Sequence, residues 1–213
     1  MSGLLPYQNE EILEIGIDEA GRGCLFGRVY VAGVILPHNI IELCEDEEII
    51  IKDSKKMSKK NKNKSREFIE RVALDYSIVY KENTEIDEKN IFATTMNAMH
   101  NVIDNISIKP DKILVDGNHF NIYRDSEGNM VTHECVIEGD NKYLSIAAAS
   151  ILAKTYKDEY IVNIVKEYPD YEKYGLLNNS GYGTKNHLDA IKMYGITPHH
   201  RKTFGICKDF IIL

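Results

Sequence analysis

Ile12-Leu13-Glu14-Ile15-Gly16-Ile17-Asp18-Glu19-Ala20-Gly21-Arg22-Gly23-Cys24-Leu25-Phe26-Gly27 is the stretch from which the fold can be read. Ile12, Leu13, Ile15 and Ile17 crowd apolar side chains into a short run that stops at two acids, as a buried strand does where it leaves a core. Neighbouring strand residues face opposite sides of a sheet, so Asp18 and Glu19 cannot both aim at one point from within the strand, and Glu19 is expected where the strand frays. Gly21, Gly23 and Gly27 then form a turn whose backbone can approach a ligand closely. Residues 29–36 read as a second strand, and a hairpin is the simplest connection.

Further along, Phe68, Ile69, Val72, Ala73 and Tyr76 recur at helical spacing, which predicts a helix within 58–76. Residues 77–80 are strand-like. Thr84 with Asp87 resembles a capping box opening one helix through Ile91, Met96, Met99 and Ile103. Residues 112–115 and 131–137 are apolar strands that run into Asp116-Gly117-Asn118 and Glu138-Gly139-Asp140. Ser145 opens a helix to about residue 168 whose alanines (147, 148, 149 and 153) allow close packing on a sheet. An Asn- and Gly-rich loop, 178–183, precedes a helix over 184–194, and the basic segment His199 to Lys202 is expected at the rim. Strands alternating with helices after a hairpin predict an α/β fold, a mixed sheet flanked by helices with a smaller helical portion from about residue 145, in one domain over 1–213.

Composition narrows the function. The residues are 43% hydrophobic and 28% charged, a globular balance. No apolar run approaches the ~18 residues of a membrane helix. The start of the chain lacks the basic and apolar stretches of a leader, so the protein is expected to be soluble and cytoplasmic. Cys24, Cys44, Cys135 and Cys207 are too scattered for a zinc site or a disulfide framework and are read as reduced thiols. A net charge of −7 argues against a nucleic-acid partner, but Lys52, Lys55, Lys56, Lys59, Lys60, Lys62, Lys64 and Arg66 lie together against one acid, Asp53. That stretch is either a phosphate-binding surface or, with the acidic run 42–48 before it, a solvated face.

Acids follow three separate strands: Asp18 and Glu19, Asp116, and Asp140. Each alone is an ordinary turn residue. Together at strand ends, where α/β sheets place ligands, they would repel one another unless a cation compensates. Hard oxygen donors favour Mg²⁺ or Mn²⁺, and two such ions roughly 3.5 to 4 Å apart can serve a phosphoryl displacement.

Gly16-Ile17-Asp18-Glu19-Ala20-Gly21-Arg22-Gly23 closely resembles the opening motif of the ribonuclease HII family, which has the RNase H-like fold. Asp53-Ser54-Lys55-Lys56 resembles that family's DSK segment, Val115-Asp116-Gly117-Asn118 its third-acid strand and Gly139-Asp140 its fourth-acid turn. The stretch from Ser145 to Lys154, with Asp158, resembles the helix that follows, and Gly181-Tyr182-Gly183-Thr184 with His187 the tyrosine loop. The resemblance implies an endonuclease that cuts the RNA strand of RNA-DNA hybrids and incises at ribonucleotides embedded in duplex DNA, leaving 3′-hydroxyl and 5′-phosphate ends. It implies Asp18, Glu19, Asp116 and Asp140 as catalytic metal ligands for Mg²⁺ or Mn²⁺. Gly21, Arg22, Gly23, Ser54, Lys55, Lys56 and Tyr182 would contact substrate, and Asp158 would orient the site or simply lie on the helix surface. The protein is expected to act alone, as a monomer. Cys24, Phe26 and Arg28 stand where the family usually has Pro, Ala and Pro, and Glu138 where a basic residue usually stands. Arg28 is expected to add a phosphate contact and Glu138 to remove one. The Gly-Arg-Gly turn speaks against the sister family ribonuclease HIII, whose additional N-terminal domain is not seen either. Two alternatives remain at this point: a hybrid-binding module of the same fold with impaired catalysis, and a related nuclease acting on branched DNA.

Overall fold

The alternation of Ile15 and Ile17 with Gly16 and Asp18 sets the centre of the molecule, whose computed structural model describes residues 3–210. Met1 and Ser2, within the stretch read as carrying no leader, and 211–213 lie outside the described residues. Strand β1 (Glu14–Ala20) is the middle of a five-stranded sheet. It pairs antiparallel with β2 (Val29–Ile35), which pairs antiparallel with β3 (Asp75–Lys81). On its other side β1 runs parallel to β4 (Lys112–Asp116), which runs parallel to β5 (Thr132–Val136). The strand order is therefore β3-β2-β1-β4-β5, a mixed sheet with the expected hairpin at its heart.

Helices cover both faces. Between β2 and β3 lie α1 (Ile40–Asp46) and α2 (Lys59–Val72). Between β3 and β4 lie α3 (Asn83–Lys89) and α4 (Ile91–Asn105). Ile15, Ile17, Val31 and Ile35 pack with Met96, Met99 and Val102 of α4 in one buried cluster. The opposite face is closed by α5 (Leu144–Glu167), whose Ala147, Ala148, Ala149 and Ala153 are fully buried. A Cβ on Gly16 would fall 2.3 Å from the carbonyl carbon of Ser145, so β1 and α5 meet backbone to backbone and only glycine fits between them. After α5 come the short helices α6 (Leu176–Asn179) and α7 (Lys185–Tyr194), the latter capped by the Thr184 side chain, and a 3₁₀ turn (Gly205–Asp209). Among the described residues no helix is long and apolar enough to cross a membrane.

Two expectations are corrected. The strand does not fray at Glu19: β1 continues to Ala20, with Glu19 paired to Val31, because the hairpin partner supplies backbone bonds that a local reading cannot count. At this strand end Glu19 still lies close enough to Asp18 and Asp116 for their charges to act on one another, so alternation of faces does not keep it from the other acids. The single helix expected from Thr84 is two helices. Glu82 and Glu85 form the capping box that opens α3, and Asn90, at φ 68°, ends it and caps α4 by accepting from the Ala93 amide. With ψ at 160° this positive-φ backbone is one that side chains other than glycine rarely adopt, and the cap bond to Ala93 helps hold it.

Candidate active site

Sheet register brings the acids together. The parallel pair Ile17–Val115 sets Asp18 beside Asp116 at the same sheet end, and the pair Asp116–Val136 carries the chain on to Gly139 and Asp140 next to them. Glu138 takes a left-handed conformation (φ 54°) that turns the backbone into the short 3₁₀ turn holding Asp140. Asp116 Oδ1 accepts from the Gly139 amide (2.7 Å), Asp18 Oδ1 from the Glu19 amide (2.7 Å) and Asp140 Oδ1 from the Asn141 side chain (3.0 Å). One oxygen of each carboxylate is thus anchored within the protein. Asp140 Oδ2 is buried and has no hydrogen-bond partner among the described residues.

Electrostatics show the strain of the grouping. Burial pushes Asp18 well above the usual carboxylate range, and Glu19 and Asp116 push it further. Burial also raises Glu19, with Asp116 adding to it and Arg22 opposing. Asp140 is raised by burial, then by Asp116 and Asp53, while Lys55 draws it down. Burial works to lower Lys55, yet Asp140, Asp53, Asp18 and Asp116 together raise it, and its ammonium lies 3.7 Å from Asp140 Oδ2. Among the described residues no three His, Cys, Asp or Glu side chains close on one point as metal ligands. The acids are neighbours without forming a closed cage. An all-oxygen donor set, a buried orphan oxygen and raised carboxylates suit a hard divalent cation.

Asp53 is a fifth acid at this site that the motif reading passed over. It is buried, caps the 3₁₀ turn Ser54–Lys56 by accepting from the Lys55 amide (2.9 Å), and stands against Asp140. The signal was present in the Asp53-Ser54-Lys55 match but was masked by the surrounding lysines. Ser54 is buried and its hydroxyl meets that of Ser150 on α5 (3.0 Å), so it braces the turn instead of facing the groove. Lys55 and Lys56 are exposed, and Lys56 donates to Asn141 Oδ1 (2.6 Å). The basic stretch divides. Arg66 is committed to Glu70 and Glu159 (2.8 and 2.7 Å) and Lys62 lies largely covered near Asp158, whereas Lys59 and Lys60 are exposed.

The glycine turn and the tyrosine loop meet across the site. Cys24 bridges to Tyr182, and the Leu25 amide donates to Gly181 O (2.9 Å). The Tyr182 hydroxyl is raised to about 12, by burial first and then by the Cys24 thiol beside it, with the Gly21 amide acting against this. Arg22 and Gly23 are exposed, and Arg22 approaches Glu19 at 3.4 Å. Asp158 lies with this loop and not with the four acids: it accepts from Lys154 (2.6 Å) and from the Ser180 hydroxyl (3.1 Å).

Arg28 does not stand free for a phosphate. Its guanidinium bonds Glu82 (2.7 Å) and lies over the rings of Tyr80 and Tyr160 (4.0 and 4.5 Å), partners that come from β3 and α5 and were invisible locally. Arg28→Ala is therefore expected to cost about 1 to 2 kcal/mol of stability through the lost stacking and ion pair, and to leave the salt dependence of duplex binding unchanged. Urea unfolding and binding titrations at two salt concentrations check this, and a shallower salt slope in the variant would return Arg28 to the nucleic-acid surface.

His199 to Lys202 is not a basic rim. His200 and Arg201 are fully buried. The Thr197 amide donates to His200 Nδ1 (3.0 Å), so His200 carries its proton on Nε2 and donates to His187 Nε2 (3.1 Å), while His187 Nδ1 donates to Tyr182 O (2.9 Å). Both rings are neutral: burial holds His187 below its ordinary value and holds His200 down to about 3, with His187 and His199 adding to the latter. Below pH ~6.5 the unfolded chain takes up a proton that folded His200 refuses, so this residue makes stability fall as pH falls, by up to about 1.4 kcal/mol per unit. Asp18 and Asp140, raised in the folded state, act in the opposite direction. The expected result is that His200→Gln, which leaves those acids in place, has a flatter fall in urea midpoint between pH 6.5 and 4.5 than the parent. Parallel curves would mean that His200 is protonated in the fold.

Comparison with known proteins agrees with the geometry. The family model described as Ribonuclease HII matches residues 15–207. The chain is 46% identical to Ribonuclease HII of Bacteroides thetaiotaomicron over 97% of its own length and 96% of that protein's. Among solved structures it resembles ribonuclease H2 from Pyrococcus horikoshii OT3 with a TM-score of 0.76 at 25% identity, covering 93% of this chain and 96% of that one. Bst-RNase HIII in complex with Mn²⁺ shares the fold with a TM-score of 0.62 at 19% identity, covering 88% of this chain and 64% of that longer one.

Proposed function

The chain belongs to the ribonuclease HII family and is an endonuclease of the ribonuclease H type, and from that premise we propose that it hydrolyses the RNA strand of RNA-DNA hybrids and incises at ribonucleotides embedded in duplex DNA. The products are a 3′-hydroxyl and a 5′-phosphate. The observation that carries this reading is the gathering of Asp18, Glu19, Asp116 and Asp140 at one sheet end, facing a turn that packs against a tyrosine loop.

Those four acids are the residues we assign to holding Mg²⁺ or Mn²⁺, in keeping with the Mn²⁺ complex that Bst-RNase HIII forms. When bound, such cations would supply activation of a water and stabilisation of charge on the phosphate. The protein's own share is placement. The Gly139 amide fixes Asp116, the Glu19 amide fixes Asp18, and Asp53 holds the turn from which Lys55 reaches the same centre. Arg22, Lys55 and Lys56 are exposed cations around the acids, suited to phosphate contacts that position a duplex without reading its sequence. Gly21, Gly23 and Tyr182 offer backbone and hydroxyl groups to a ribose 2′-hydroxyl. Action as a monomer in the cytoplasm belongs to the same reading.

Three end-labelled duplexes with Mg²⁺ or Mn²⁺ test it: one all DNA, one with a single ribonucleotide, one a long hybrid. Cleavage of the last two and not the first is expected. Cutting of all-DNA duplexes, or binding of hybrids without any cutting, would overturn it.

A further inference from the structure

Arg201 is fully buried, with the Phe204 ring 5.1 Å from its guanidinium, and every hydrogen bond that the guanidinium makes among the described residues goes to main chain. Nε donates to Gly27 O (2.9 Å), Nη1 to Arg22 O (2.9 Å), and Nη2 to Gly21 O (2.7 Å) and Arg28 O (3.0 Å). Its own amide donates to Leu25 O (2.8 Å), and the Gly27 amide returns a bond to His199 O (2.8 Å). A buried cation is costly unless hydrogen bonds replace its water, and here carbonyls from one turn do so. Burial brings its pKa down to about 10, so it stays charged at neutral pH.

What this arrangement determines is direction. A trans peptide unit points its C=O and its N–H to opposite sides. With the carbonyls of Gly21 and Arg22 turned inward onto Arg201, the amides of Arg22 and Gly23 are turned away from it. Both residues are exposed, and neither amide donates to a backbone carbonyl among the described residues. A Cβ built on Gly23 would meet nothing within 4 Å, so the space beside this pair is open. On the near side is Tyr182, whose hydroxyl lies by the Gly21 amide. A cation on the carbonyl side polarises each peptide and strengthens its amide as a donor.

We propose that Arg201 is a positioning residue for ribose recognition: by gathering the carbonyls of the 21–28 turn it holds the Arg22 and Gly23 amides as an outward donor pair, beside Tyr182, for the 2′-hydroxyl of the substrate. This rests on the proposed reading of the turn as the surface that detects ribose. The fork of a guanidinium reaches carbonyls in several directions at once, whereas a lysine ammonium, with one nitrogen, keeps the charge and loses the span.

Arg201→Lys is the test, assayed with Mg²⁺ or Mn²⁺ on a single-ribonucleotide duplex and on a long hybrid, with binding to an all-DNA duplex measured alongside. The expected result is a rise in KM on the single-ribonucleotide duplex and a fall of about tenfold in its kcat/KM relative to the hybrid, because an isolated ribose depends on one set of contacts. Binding to all-DNA duplex should stay within about twofold of the parent, since phosphate contacts carry it. A folded variant that keeps the parent's preference, or that loses activity equally on both substrates, overturns the inference. If the variant does not fold, amide resonances of the ¹⁵N-labelled parent decide: those of Arg22 and Gly23 should shift with a single-ribonucleotide duplex and not with its all-DNA counterpart, and equal shifts would overturn it. A parent that cuts no ribonucleotide-containing duplex would instead overturn the functional reading itself, and this inference with it.

Discussion

Asp116→Asn should lose nearly all cleavage, on the order of a thousandfold or more, about 4 kcal/mol in the barrier, while duplex binding stays within about threefold. The substitution is nearly isosteric, and the amide oxygen of asparagine can still accept from Gly139, so the turn that carries Asp140 keeps its anchor. What changes is the second oxygen, which becomes an NH₂ group and can no longer ligate a hard cation. Exposed Arg22, Lys55 and Lys56, the cations proposed to meet phosphates, are untouched, and removing one negative charge near them does not weaken the attraction of a polyanion. A thermal melt gives an independent readout. Divalent metal that binds the folded parent should raise its Tm, and Asp116→Asn should lose most of that rise without being less stable in chelator. Asp18→Asn and Asp140→Asn should behave alike, since burial and neighbouring acids raise both carboxyls. Full activity in Asp116→Asn would remove that residue from the site.

Much of this site could be read in the chain because its parts are local. A strand ending in acids, a glycine-rich turn and an alanine-rich helix each announce themselves within a dozen residues, and sheet register then joins them. What escaped reading is nonlocal. Arg28 carries the same charge on paper whether it meets a phosphate or, as here, Glu82 and two tyrosine rings. Arg201 lies in a segment that looks like a basic surface, and only the carbonyls of residues far upstream make it a buried strut. Glu19 stays in its strand because β2 pairs with it. Asp53 belongs with the acids because its turn meets Asp140, a contact between distant parts of the chain. The break at Asn90 was nearer to legibility, since an asparagine between two helical patterns is an available N-cap for the second.

Tyr182→Phe should slow cleavage at an isolated ribonucleotide by about tenfold, and Tyr182→Ala by more, with smaller losses on long hybrids. The ring is partly exposed and lies over the Lys157 ammonium (4.9 Å), and the residue's carbonyl is held by His187 (2.9 Å), so position does not depend on the hydroxyl alone. Its pKa of about 12 keeps the hydroxyl protonated throughout the working range, which makes it a hydrogen-bonding group and not a base. Phenylalanine retains the ring packing and removes only that group, a loss of roughly 1 to 3 kcal/mol if it leaves a buried 2′-hydroxyl unpaired. Alanine also removes the surface on which a sugar can pack. A long hybrid presents a 2′-hydroxyl at every step and tolerates a shift of register, so a weakened contact at one position matters less there. The acids stay in place in both variants, so the metal-induced rise in Tm should match the parent and separate a recognition defect from a damaged centre. Equal rates for Tyr182→Ala and the parent on a single-ribonucleotide duplex, with cutting at the same site, would remove this residue from ribose recognition and leave the carboxylate chemistry standing.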